Sequence, residues 1–191
     1  MRGAALALGA VLLAAGWAVA GQGMTGHMAA HMIAVAVAAP CVALGLSGTA
    51  ADPARRWPRI VTPLAMSMVE LGVVWSWHLP ALRAAAAHLP LLLALEQLSF
   101  LTAGVLLWSA VLARTAAARA IGVGALLLTS MHMTLLGALL GLAPRALYGH
   151  DDLHDQHLGG AFMLLVGGVS YLAGGLWLAV DLLRSRRSEL R

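Results

Sequence analysis

Six apolar segments, at about 3–20, 27–47, 60–80, 89–112, 120–141 and 158–180, divide the chain almost from end to end. Each is close to the roughly 20 residues that a helix needs to cross about 30 Å of hydrocarbon. Inside lipid, backbone N–H and C=O groups must be satisfied within the protein, and the segments are far longer than barrel strands, so helices are expected throughout. The spacing predicts an all-α fold: a polytopic membrane bundle of six transmembrane helices with short connections, a single domain over 1–191. Composition agrees, since 61% of the residues are hydrophobic and 10% charged, where a soluble domain carries roughly 25% charged residues. An ordinary soluble enzyme, a disordered tail and a disulfide scaffold are all excluded. Cys41 is the single cysteine, so the chain forms no internal disulfide.

The basic residues orient the bundle. All twelve are arginine. Arg2, Arg55, Arg56, Arg59, Arg114, Arg119, Arg184, Arg186, Arg187 and Arg191 fall on one side of the expected membrane, whereas only Arg83 and Arg145 fall on the other. By the positive-inside rule both termini are expected in the cytoplasm. Arginines parted by apolar runs read as membrane orientation, and no nucleic-acid partner is expected. The first segment has a second reading, because Ala18-Val19-Ala20 after an apolar run resembles a signal-peptide cleavage site. A retained anchor is the expectation adopted; cleavage would leave five helices in the same orientation.

Given that orientation, every histidine lies in the outer half or outside. His27 and His31 open the second span, His78 closes the third, His88 precedes the fourth, and His132 lies within the fifth. His150, His154 and His157 share the longest outer loop with Asp151, Asp152 and Asp155. Residues four apart share a helix face, so His27 and His31 form one row, with Met28 and Met32 a second row about 100° round. Imidazole suits copper, and soft thioether sulfur favours copper(I). Met131-His132-Met133 repeats the combination, and Met163 follows in the last span. A histidine near a helix end is often only hydrogen-bonded at the interface, and methionine is a common gap-filler. The doubled His-Met step nonetheless points to a metal site formed by His27, Met28, His31, Met32, His78 and His132. Glu96 reads equally as a ligand or acceptor that orients an imidazole or as a carboxyl bonded to a neighbouring helix, while Glu70, deeper in the membrane, reads as the latter. Glycine pairs at 159/160, 167/168 and 174/175 and the Gly137-x-x-x-Gly141 step suit close helix packing. Pro40 is expected to kink the second span.

These residues carry a resemblance. His27-Met28-x-x-His31-Met32 leading to Pro40, Trp77-His78-Leu79-Pro80, Leu95-Glu96-Gln97-Leu98-Ser99-Phe100 followed by Trp108, Leu136-Gly137-Ala138-Leu139 with Pro144 and Tyr148, and Asp155-Gln156-x-x-Gly159-Gly160 with Met163 occur in that order. Over about 24–180 the chain resembles the CtaG-type cytochrome c oxidase assembly factors, polytopic bacterial membrane proteins. It departs from them at Gln97, where the family commonly carries histidine, and at Leu164, where tryptophan is common. The resemblance implies a role in maturing a haem–copper oxidase by supplying copper, as Cu(I), in the bacterial plasma membrane. It implies an oxidase subunit and an outer-compartment copper donor as partners. It also gives Asp155 and Gln156 a supporting or partner-facing place beside Glu96 and Met163.

No nucleophile elbow, phosphate loop or H-E-x-x-H helix occurs, so no enzyme activity is expected. Neutral imidazole is the coordinating form, so copper binding should weaken as pH falls through about 6.5. Two other functions use the same residues. A copper permease would continue the path inward through Met66, Met68 and Cys41. A b-type cytochrome would hold haem between His31 and His132, and an absorption spectrum of purified protein separates that case.

Overall fold

The computed structural model describes residues 2–112, 116–148 and 152–189. His150, Asp151, Arg114 and Arg191 lie outside the described residues. Among those described, all regular structure is helical. Five helices are long and apolar enough to cross a membrane: Arg2–Val19, Gly23–Leu46, Pro90–Val111, Ala118–Gly141 and Leu153–Arg184.

In chain order, α1 is Arg2–Val19. The second span is one continuous helix made of α2 (Gly23–Met32), a wider π turn (Ile33–Ala38) and α3 (Ala39–Leu46). A short α4, Pro53–Arg56, leads into α5, Pro63–Trp77, and α6, Pro80–His88. The long helices α7 (Pro90–Val111), α8 (Ala116–Gly141) and α9 (Leu153–Glu189) complete the bundle. The segment expected as the third span is α5, whose 15 residues rise only about 22 Å. Pro80 stops it, because a residue before proline avoids the helical region; Leu79 is extended at φ −65°, ψ 132°. The chain then restarts as α6 where a plain outer loop was expected.

Small residues set the spacing of α8 and α9, the most extensively packed pair. A Cβ on Gly160 would stand 2.7 Å from the Gly137 carbonyl oxygen and closer still to the Gly141 nitrogen. Only glycine permits that approach. The core between the helices is rich in methionine and aromatics, with Met24, Met28, Met32, Phe100, Met133, Met163 and Tyr171 fully buried.

The expected disturbance at Pro40 takes a specific form. In the π turn the Ala39 N–H donates to Ala34 O, five residues back. Continuing that pattern, Val35 O would be met by residue 40, which as proline has no N–H. Buried carbonyls do not stay unmet. Trp108 Nε1 donates to Val35 O at 3.1 Å and the Tyr171 hydroxyl reaches it at 3.3 Å. Tyr171 also hydrogen-bonds Glu70, so Glu70 is indeed bonded to a neighbouring helix. Proline, the carbonyl it strands and two aromatic donors thereby lock α5, α7 and α9 around the second span.

Candidate functional site

The start of α2 is held from across the bundle. Gly23 has φ +67°, a conformation open to glycine at little cost, and it turns the chain so that the first N–H groups of α2 face Asp155 on α9. The Asp155 carboxylate accepts from Met24 N at 2.6 Å and Thr25 N at 3.2 Å, and the Thr25 hydroxyl donates to the Asp155 carbonyl at 3.2 Å. A carboxylate there satisfies orphan donors and meets the positive end of the helix dipole.

One turn further on, His27 and His31 project from the same face of α2, as their spacing requires, towards α5 and α7. There they meet His78, which caps the end of α5 just after Trp77. Ring centroids are 5.3 Å apart for His27–His78, 5.3 Å for His31–His78 and 6.3 Å for His27–His31. Phe100 on α7 stacks on His31 at 4.0 Å. Exposure is 0%, 0% and 5% for the three histidines. His132 on α8 is also buried and close enough to His31 to interact electrostatically. Both ring nitrogens of His31, both of His132 and Nε2 of His78 are buried without a hydrogen-bond partner. Bringing so many imidazole nitrogens out of water without partners costs free energy. Among the described residues, no group of three or more His, Cys, Asp or Glu side chains stands arranged to hold a metal ion.

Two of the rings have a polar neighbour behind them. His78 Nδ1 lies 2.6 Å from Val74 O. A carbonyl only accepts, so the neutral ring donates from Nδ1 and carries its lone pair on Nε2. His27 Nδ1 lies 3.4 Å from Glu96 Oε2, and Arg83 Nη1 approaches the two oxygens of that carboxylate at 3.4 and 3.2 Å. Glu96 therefore stands beside the His27 ring at ion-pair distance. Arg83, read from the sequence only as one of two outer arginines, is buried on α6 and neutralises it. An arginine on the side that carries only one other was the available clue. Phe100, the ring packed on His31, was visible only inside a motif.

Gln156 supports the cluster from another direction. Its Oε1 accepts from Leu147 N at 2.7 Å and its Nε2 donates to Leu140 O at 3.2 Å. This fixes the turn after α8, from which the Tyr148 hydroxyl donates to His78 O at 3.0 Å. Asp155 and Gln156, adjacent in the chain, thus brace opposite arms of one histidine cluster.

The methionines are placed differently. Met24, Met28 and Met32 form a buried row facing α9: a Cβ on Gly159 would be 3.1 Å from both Met24 Cγ and Met28 Cγ, and one on Gly167 would be 3.2 Å from Met32 Sδ and 3.3 Å from Met133 Cβ. Met163 is buried as well. Met131 is 69% exposed whereas Met133 is fully buried, so the Met131-His132-Met133 step does not gather at one place. His88 and His154 are exposed, and His157 Nε2 is 2.9 Å from Ala143 O. Beside Glu96, Gln97 is buried with its Nε2 unpartnered.

Helices of this length and hydropathy, closed around a set of imidazoles near one end, define a multi-pass membrane protein with a buried histidine cluster. The family model of the cytochrome c oxidase caa3 assembly factors (Caa3_CtaG) matches residues 3–185, nearly the whole chain. The chain belongs to that family and is a cytochrome c oxidase assembly factor. No curated protein and no solved structure matched it.

Proposed function

We propose that this assembly factor receives copper, as Cu(I), at His27, His31 and His78 and passes it to the haem–copper oxidase it helps assemble. The observation that carries this reading is the meeting of three buried imidazoles from two helices, with ring centroids 5.3 to 6.3 Å apart. Imidazoles that share one ion through nitrogens about 2 Å from it have centroids about 5 Å apart. His132, which shares the electrostatic surroundings of His31, is the next ligand on the way in or out. The buried sulfurs of Met28 and Met32, one face round on the same helix, give a soft cation a second place to rest. Glu96 supplies charge behind His27, and Asp155, Gln156 and Met163 hold the frame.

The role requires no bond-making chemistry, and the protein is read as a carrier of cargo rather than an enzyme. Arginines gathered at the opposite end from the histidines support cytoplasmic termini in the bacterial plasma membrane, with the cluster towards the side where an outer copper donor would stand. Met66 is buried while Met68 is 44% exposed, and Cys41 lies beside Gly9 of α1. Sulfur groups are therefore not gathered below the cluster, which favours hand-over over transport across the membrane.

Metal analysis of detergent-purified protein under reducing conditions tests the proposal. The double variant His27→Ala/His31→Ala is expected to insert normally, lose bound copper and fail to support oxidase maturation. Loss of an outer partner alone weakens metal affinity by about tenfold or more, so removal of two ligands exceeds that. Unchanged copper content and maturation in the variant would overturn the site.

A further inference from the structure

At the arginine-rich end, away from the histidines, a cavity of about 380 Å³ opens between the start of α1, the end of α3, α4 and the end of α7. Arg2 and Arg55 stand at its rim, and Ser109 and Leu112 of α7 line it with Ala43. Ser109 is 5% exposed and its hydroxyl has no hydrogen-bond partner. A buried hydroxyl normally finds one, and a serine in a helix can turn to the carbonyl four residues back; this one does neither.

The acid in the cavity is already engaged. Asp52 accepts from Gly48 N at 2.8 Å and from Ala54 N at 3.1 Å. Arg55 Nη1 donates to Gly48 O at 2.8 Å, which ties its guanidinium to another residue of the lining. Two guanidiniums against one carboxylate leave the cavity with net positive charge. Ala43, Ala54 and Leu112 supply the apolar part of its lining, beside the Ser109 hydroxyl that has no partner. The edge is at the interfacial end of the helices, where Trp57 is half exposed and Arg56 lies 5.3 Å over its ring, an arrangement common at headgroup depth.

We propose that this cavity binds a phosphate-bearing anion, with Arg2 and Arg55 clasping the phosphate and Ser109 bonding an oxygen beneath it. Guanidinium pairs with phosphate through directed, charge-assisted hydrogen bonds. A phosphodiester headgroup of an anionic lipid and a free phosphate ion present that same chemistry, and the test separates them.

The full chain, delipidated in a neutral detergent, is titrated with short-chain phosphatidylglycerol, short-chain phosphatidylcholine and inorganic phosphate, with adducts counted by native mass spectrometry. Wild-type protein is expected to bind phosphatidylglycerol in preference to phosphatidylcholine. Arg55→Gln should weaken that binding by about fivefold, the usual contribution of one arginine near an anionic headgroup. Ser109→Ala should weaken it further, and Arg145→Gln, at the other end, should leave it unchanged. Saturation by inorganic phosphate with the same dependence on Arg55 assigns the site to the soluble ion, and binding of phosphatidylglycerol alone assigns it to lipid. Equal binding of the two lipids, or equal binding by wild type and Arg55→Gln, overturns the proposal.

Discussion

Asp155 shows how much a single side chain carries in this protein. Its carboxylate holds the first N–H groups of the helix that bears two histidines of the cluster, so Asp155→Ala is expected to cost about 1–2 kcal/mol. Thermal unfolding in detergent measures that loss. Copper binding should fall with it, because His27 lies within a turn of the cap. That His27 and His31 share a face was legible from their spacing, whereas His78 was placed only at a similar depth, and the fold brings its ring to theirs. Arg83 was not legible, because a charged residue between two apolar runs reads as loop, and only the third dimension turns it onto Glu96. The roles of Asp155 and Gln156 were hidden for a related reason. Each acts on a partner far away in the chain, and no local pattern reports which backbone group a side chain will meet.

Among the elements, the second span and the last two helices define the architecture. Trp108→Phe removes the stronger donor to Val35 O and leaves a buried carbonyl short of a partner, at a cost of about 1–3 kcal/mol. Pro40→Ala supplies the N–H that proline lacks. In that background the Trp108→Phe penalty should shrink, and a double-mutant cycle by denaturant unfolding should show a coupling of about 0.5–1 kcal/mol. Additive effects would show that the proline does not strand the carbonyl. Where α8 meets α9, Gly160→Ala drives a methyl into the backbone of residues 137 and 141, and overpacking of this kind costs about 1–3 kcal/mol or more. Gly124→Ala, on the same helix pair but with nothing within 4 Å of the new methyl, should instead stabilise by about 0.5–1 kcal/mol. Melting temperatures of the two variants should move in opposite directions. Apolar length and glycine spacing made the long helices and their close packing readable, and Pro40 flagged a disturbance. Nothing in local sequence foretold α6, or that α5 would be a 15-residue helix, since both depend on how Pro80 redirects the chain against α7.

For the whole molecule, the gathering of most arginines at the end opposite the imidazoles is the property that matters most. Arg2, Arg55, Arg56, Arg59, Arg119 and Arg184 mark one end, where Arg119 pairs with Asp181 between α8 and α9; His27, His78 and the turn bearing Tyr148 mark the other. A green fluorescent protein fused after the last residue should therefore fluoresce, and alkaline phosphatase inserted in the turn at 142–148 should be active. The reverse pattern would invert the orientation. The π turn also has a consequence for how such a chain can vary. It is in effect one surplus residue in the second span, so the portion above it is wound a quarter turn out of phase with the portion below. Winding residues 33 to 38 as ordinary α-helix with all of them kept would turn His27 and His31 by about 100°, away from His78, with every side chain of the cluster still present. Spacing along this helix, as much as the identity of its residues, is what the copper reading depends on.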